Sequence, residues 1–182
     1  VLVMVRTGEL AARDDEVLFL PHLDPLAAVC ESRGAQPVLG PGLLPGELGT
    51  EVVLYRIEAN RAVEVLPGGP AAARAAALRE REPAYGNMAE LGFGVLADFG
   101  LDPVGEILLD EKLGLHIAFG RSDHFGGQVG AARFSKPEAV VHIDRIYLPS
   151  LQPRVNAKRV ELTGDEGKKT VIMRDGLYTG VF

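Results

Sequence analysis

Cysteine occurs once in 182 residues, at Cys30, which excludes an internal disulfide and fits a reducing, cytoplasmic compartment. Cys30 falls on the apolar face of a short helical pattern and reads as a small buried hydrophobe, not a nucleophile. Long apolar runs are also missing. The uncharged stretch from Gln36 to Gly46 carries three prolines and falls far short of the roughly 20 apolar residues a membrane span needs. The opening Val-Leu-Val-Met-Val-Arg has no basic region ahead of an apolar run, so it does not read as a secretory signal, and it reads as a trimmed or partial chain. The 19 lysines and arginines are scattered through a chain of net charge −6 and pI near 5.3. No basic stripe tracks a phosphate backbone, which excludes nucleic acid as the expected partner. Repeats of 20 to 50 residues are absent, and the only biased tract is one alanine-rich segment.

What is present is an ordinary globular composition: 47% hydrophobic and 24% charged residues, with mean hydropathy +0.11. A chain of this size buries roughly 70% of its unfolded surface and needs no metal merely to stay folded. Any metal-ligand cluster is therefore read as functional. The β-rich runs Val1 to Val5 and Glu16 to Leu20 predict two short strands. Asp24 followed by Pro25 caps a short amphipathic helix that Gly34 ends. The Pro- and Gly-dense segment from Pro37 to Gly49 predicts an irregular loop. Glu51 to Glu58 and Arg61 to Leu66 predict a hairpin turning at Ala59-Asn60, and Pro70 to Glu82 predicts a helix. Glu138 to Leu148 reads as a buried strand, and Arg154 to Thr163 with Lys168 to Arg174 as a hairpin around Gly164-Asp165-Glu166-Gly167.

Histidines and carboxylates crowd into the second half. His142 and Asp144 stand two apart in Val-Val-His-Ile-Asp-Arg-Ile, and alternation along a strand points both side chains to one face. His116 lies in an equally apolar run, with Glu111 five residues before it and Glu90 further upstream. Carboxylates among hydrophobes are costly unless paired or bound to a cation, and imidazole with carboxylate oxygen suits zinc, manganese, cobalt or ferrous iron. The residues alone leave two readings open. A strand His-x-Asp pair also serves as a hydrogen-bonded core histidine, and Glu111 can simply pair with Lys112.

The ordered blocks Asn-Met-Ala-Glu-Leu-Gly-Phe-Gly (87–94), Gly-Glu-Ile-Leu-Leu-Asp-Glu-Lys-Leu-Gly-Leu-His-Ile-Ala-Phe-Gly (105–120) and Val-His-Ile-Asp (141–144) resemble the catalytic domain of the aminopeptidase T family. Members are metal-dependent exopeptidases, and the resemblance spans about Pro41 to Gly176. It implies an α+β domain on a mixed, strongly curved sheet with flanking helices, and two divalent ions held by Glu90, Glu111, His116, His142 and Asp144. A family glutamate in a Pro-x-Gly-Glu loop matches Glu47, although the stretch from Glu47 to Glu90 is shorter than in the family. The resemblance also implies a homodimer and a peptide substrate. Two departures stand out: the family tyrosine near the reacting carbonyl is replaced by Asp123, followed by His124, and only about 40 residues precede Pro41 where the family has a large N-terminal domain.

The chain is accordingly divided into a short N-terminal βαβ-like segment, residues 1–40, and a metal-binding domain, 41–182. Three functions are expected to compete. A metallo-aminopeptidase-like hydrolase would use zinc, cobalt or manganese to activate water, with Glu90 or Glu111 moving the proton and His124 in place of the tyrosine. A non-haem iron oxygenase would use His116, His142 and Asp144 as its two-histidine, one-carboxylate triad. A non-catalytic protein would bind peptides on the truncated cleft, for example in modified-peptide biosynthesis.

Overall fold

The computed structural model describes residues 2–7, 17–20, 42–163 and 168–179. In chain order its elements are β1 (Leu2–Thr7), β2 (Val17–Leu20), β3 (Gly42–Leu48), β4 (Glu51–Glu58), β5 (Arg61–Val65), α1 (Pro70–Arg81), β6 (Met88–Phe93), α2 (Ile107–Asp110), β7 (Leu115–Gly120), β8 (His142–Ile146), β9 (Ala157–Thr163), β10 (Lys169–Arg174) and β11 (Leu177–Tyr178). The α+β class is as expected. Among the described residues the strands form three antiparallel sheets, ordered β11-β10-β9-β1-β2, β3-β4-β5 and β6-β7-β8, and none closes into a barrel. No helix among them is long and apolar enough to cross a membrane. The helix expected after Asp24, Cys30 and the turn at 164–167 lie outside the described residues.

Local chemistry explains most elements. Ala59 and Asn60 both take positive φ, 45° and 63°, the turn that matches the twist of a two-residue hairpin, and β4 and β5 pair across it. Pro70 opens α1 at its first turn, where its missing N–H costs nothing, and Arg79 and Arg81 close it against the negative end of the dipole. Two expectations fail: the buried strand expected over Glu138 to Leu148 is shorter, His142–Ile146, and only partly buried, and Gly42 to Leu48 is a strand, not an irregular loop. It lies at the edge of its sheet, where Pro45 can dispense with a ladder donor, and Leu44, Pro45 and Gly46 are buried. Leu44, Ile57, Leu91, Ile117, Val160 and Ile172 meet in one apolar core to which all three sheets contribute. β7 is buried at all six positions, so its polar member, His116, is held among hydrophobes.

Candidate metal centre

The sheet β6-β7-β8 carries Glu90 on its first strand, His116 on the central one, and His142 and Asp144 on the third. Antiparallel register sets Glu90 opposite Ala118, and Ala118 opposite Asp144, so three strands deliver their side chains to one patch. Glu90 bridges the two imidazoles. Its Oε1 lies 3.4 Å from His116 Nε2 and its Oε2 lies 3.1 Å from His142 Nε2. His142 Nε2 is also 3.8 Å from Asp144 Oδ1. Glu90, His116 and Asp144 each offer a ligand atom within 4.8 Å of the other two.

The outer nitrogens fix what the inner ones can do. His116 Nδ1 lies 3.1 Å from the Gly114 carbonyl and His142 Nδ1 lies 2.8 Å from the Arg121 carbonyl. A carbonyl only accepts, so each Nδ1 carries its proton, and a neutral ring would turn an Nε2 lone pair toward a Glu90 oxygen. Two acceptors face to face need either a further proton on each ring or a cation between them. Nδ1 anchored on a backbone carbonyl is also the usual support of a metal-binding histidine.

Charges follow the same logic. Burial pushes the Glu90 carboxyl up, but the hydrogen bonds and charges of His116 and His142 outweigh it and bring the pKa down to about 2. Burial pushes both histidines down, and the bond to Glu90 with the Nδ1 carbonyl contact overcomes it, so each ends above its ordinary value. Burial raises Asp144, and the His142 and His116 charges only partly oppose it. Its Oδ1 is buried and accepts no hydrogen bond. An orphaned carboxylate oxygen beside two oriented Nε2 atoms fits a divalent metal. Metal to ligand bonds of about 2.0–2.2 Å set neighbouring donors roughly 3–3.5 Å apart, comparable to the 3.1 and 3.4 Å contacts of Glu90.

The remaining sequence candidates stand apart from this group. Glu111 is buried at the start of the turn before β7, bonded to Lys112, and its charge reaches Asp144. Glu47 is taken by Arg154, whose guanidinium and backbone N–H both meet its carboxylate, the latter at 2.9 Å. His124 is at the rim, its ring edge-on to that of His142 with centroids 4.9 Å apart. Asp123, in the place of the family tyrosine, pairs with Arg121 at the surface, which holds its carboxyl below the usual range. Lys112 is the residue that spacing did not single out. The bond to Glu111 first, and the charges of Glu90 and Asp144 further off, raise its pKa, so it is a resident counter-charge beside the cluster. Gly92 is another: it pairs with His116 across β6 and β7, and an added Cβ would fall 2.0 Å from His116 Nε2. The pairing of Lys112 with Glu111 is legible from their adjacency, whereas the approach of Gly92 to His116 needs the register.

No protein-family model matches the chain, and no curated protein matches it. Among solved structures, wild-type AmpT from Thermus thermophilus is similar, with 22% sequence identity and a TM-score of 0.47, over 90% of this chain and 39% of that one, so this chain spans well under half of that protein's length.

Proposed function

We propose that the chain is a divalent-metal-dependent, peptidase-like protein that acts on or binds peptide N-termini. The observation that carries the metal is the Glu90 carboxylate between two Nε2 atoms whose outer nitrogens are anchored on carbonyls, beside the orphaned Asp144 oxygen. The peptide is carried by the resemblance of the blocks around Glu90, His116 and His142. Glu90, His116, His142 and Asp144 hold the metal, with Glu111 at its margin. Zinc, cobalt or manganese would supply a Lewis acid and a water of lowered pKa. Glu90 or Glu111 would take the proton from that water, and His124, beside His142, is the nearer replacement for the absent phenol. Homodimerisation belongs to the same reading, and light scattering tests it: a particle of 19.4 kDa counts against it.

The deciding experiment compares metal-loaded wild type with His142→Ala, reading bound metal, hydrolysis of amino-acid amides and oxygen uptake. Stoichiometric zinc, cobalt or manganese with amide hydrolysis, both lost in the variant, is the expected result. Ferrous dependence with oxygen uptake would transfer the site to the oxygenase reading on His116, His142 and Asp144. Bound metal without turnover, together with tight capture of a peptide, would leave the binding protein. A folded wild type that holds no metal would end both enzymatic readings.

A further inference from the structure

β8 has two faces. His142 and Asp144 serve the proposed metal cluster, while alternation sends Ile143 and Arg145 to the opposite side, toward a cavity that α1 also lines. A cavity of about 430 Å³ opens there, between α1 and residues of β4, β7 and β8. This is within the size range of sites for small organic ligands. Its walls are apolar for the most part, with Leu78, Phe119 and Ile143 among them. Its charged members are all of one sign: Arg74, Arg79 and Arg145 line it, and no aspartate or glutamate does.

Two of these guanidinium groups have unmet donors. Nε of Arg79 and Nε of Arg145 are buried without a hydrogen-bond partner. Arg79 uses Nη1 on the Ala62 carbonyl, at 3.1 Å, which holds the side chain against the sheet. Tyr55, another lining residue, takes a side-chain hydrogen bond from Arg145, and the positive charge and that bond oppose the upward push of burial on its phenol, so the Arg145 fork is partly engaged and only its Nε is left unmatched. A buried N–H without an acceptor is costly even where the rest of its guanidinium is engaged, and an arginine fork is matched best by a planar carboxylate.

We infer that this cavity is a second binding site, for a carboxylate carried on an apolar body, its charge met by Arg79 and Arg145 and its body seated among Leu78, Phe119 and Ile143. The site is independent of the metal cluster, since it uses the other face of β8. A free aryl or branched-alkyl acid presents this chemistry, and so does a peptide ending in an apolar residue.

Calorimetric titration of the full chain tests it with four probes: phenylpropionate, N-acetylphenylalanine, N-acetylphenylalanine amide, and a capped tripeptide ending in phenylalanine with a free carboxylate. Saturable binding of the acids at one per chain is expected, with the amide at least tenfold weaker. Arg79→Gln should weaken the acids at least tenfold and bring them level with the amide. Ala75→Phe, which fills the cavity and leaves every charge in place, should abolish binding. Circular dichroism reports whether each variant is folded, and Arg145→Gln replaces Arg79→Gln if the latter is not. Tighter binding of the tripeptide than of N-acetylphenylalanine would identify a peptide C-terminus as the natural source, and equal binding a free acid. Absence of saturable binding to wild type, equal binding of acid and amide, or unchanged binding in the folded arginine variant would overturn the site. Metal content, read on the same samples, keeps this result separate from the fate of the metal centre.

Discussion

At the scale of single residues, Glu90 decides the behaviour of its neighbours. In chelator-treated protein its carboxylate is stabilised by two imidazolium rings, and each ring by the carboxylate. The histidines are raised above 6.5 in the fold, so their contribution to stability is complete below 6.5 and is lost as pH rises through their folded pKa values. Glu90 is lowered from 4.5 to about 2, so its contribution is complete above 4.5 and is lost as pH falls toward 2. Asp144 is raised by burial, so its contribution is complete below 3.8 and, like that of the histidines, is lost as pH rises through its folded pKa. The cluster therefore stabilises the metal-free fold most between about 4.5 and 6.5. The urea midpoint of metal-free protein should fall between pH 6 and pH 8, and Glu90→Gln should flatten that fall. An unchanged slope in the variant would mean that the histidines do not depend on Glu90. Part of this site is legible in the chain itself. His142 and Asp144 follow from strand alternation alone, because i and i+2 share a face. The approach of Glu90, 52 residues before His142 in sequence, depends on register, and it was the ordered blocks rather than spacing that pointed to it. Glu47 illustrates the limit: its carboxylate meets an arginine 107 residues away, and no local pattern announces that pairing.

At the scale of elements, close approach explains what composition cannot. β6 and β7 come together at Gly92 and His116, where the imidazole lies over the glycine backbone. Gly92→Ala would set its methyl 2.0 Å from His116 Nε2, and the ring must turn away from Glu90 or the strands must part. The expected outcome is loss of bound metal by at least tenfold in affinity with near-native circular dichroism; retained affinity would show that the ring has room to move. The start of α1 depends on another element in a similar way. Ala71 donates its orphan N–H to both oxygens of Glu51, at 3.2 Å each, from the first residue of β4. Glu51→Ala should therefore cost about 1 kcal/mol, the usual worth of a helix N-terminal partner with favourable charge, read as a lower urea midpoint at unchanged slope. Helix α1 and the β4–β5 hairpin are visible in sequence because their signals are local: proline at the first turn, an alanine-rich body, Ala-Asn at a tight turn. β3 is not, because proline and glycine argue against a strand until its edge position is known.

At the scale of the whole molecule, the candidate metal cluster and the core are mechanically linked. Leu91 on β6, Leu115, Ile117 and Phe119 on β7, and Ile146 on β8 are buried, and the first four join residues of the other two sheets in the common core. Tyr147, just beyond β8, donates its hydroxyl to the Pro45 carbonyl at 2.8 Å and so ties this sheet to β3. A cation bound by Glu90, His116, His142 and Asp144 would connect all three strands of β6-β7-β8 at once. Separating those strands would then require releasing the ion, and unfolding would release it into a chain with no preformed site. Linkage sets the size of the effect: free metal at 100 times its Kd adds about 2.7 kcal/mol. For a domain of this length roughly 2–4 °C accompanies each kcal/mol. Saturating zinc, cobalt or manganese should therefore raise the thermal midpoint by roughly 5–10 °C, a chelator should reverse it, and His142→Ala should abolish most of it. Scanning calorimetry at two metal concentrations separates this from nonspecific ion effects, because a specific site makes the midpoint climb with the logarithm of free metal, whereas screening of surface charge responds equally to magnesium. A midpoint that ignores all three transition metals in wild type would leave Glu90 and the two histidines as a buried ion-pair cluster that stabilises the sheet by itself.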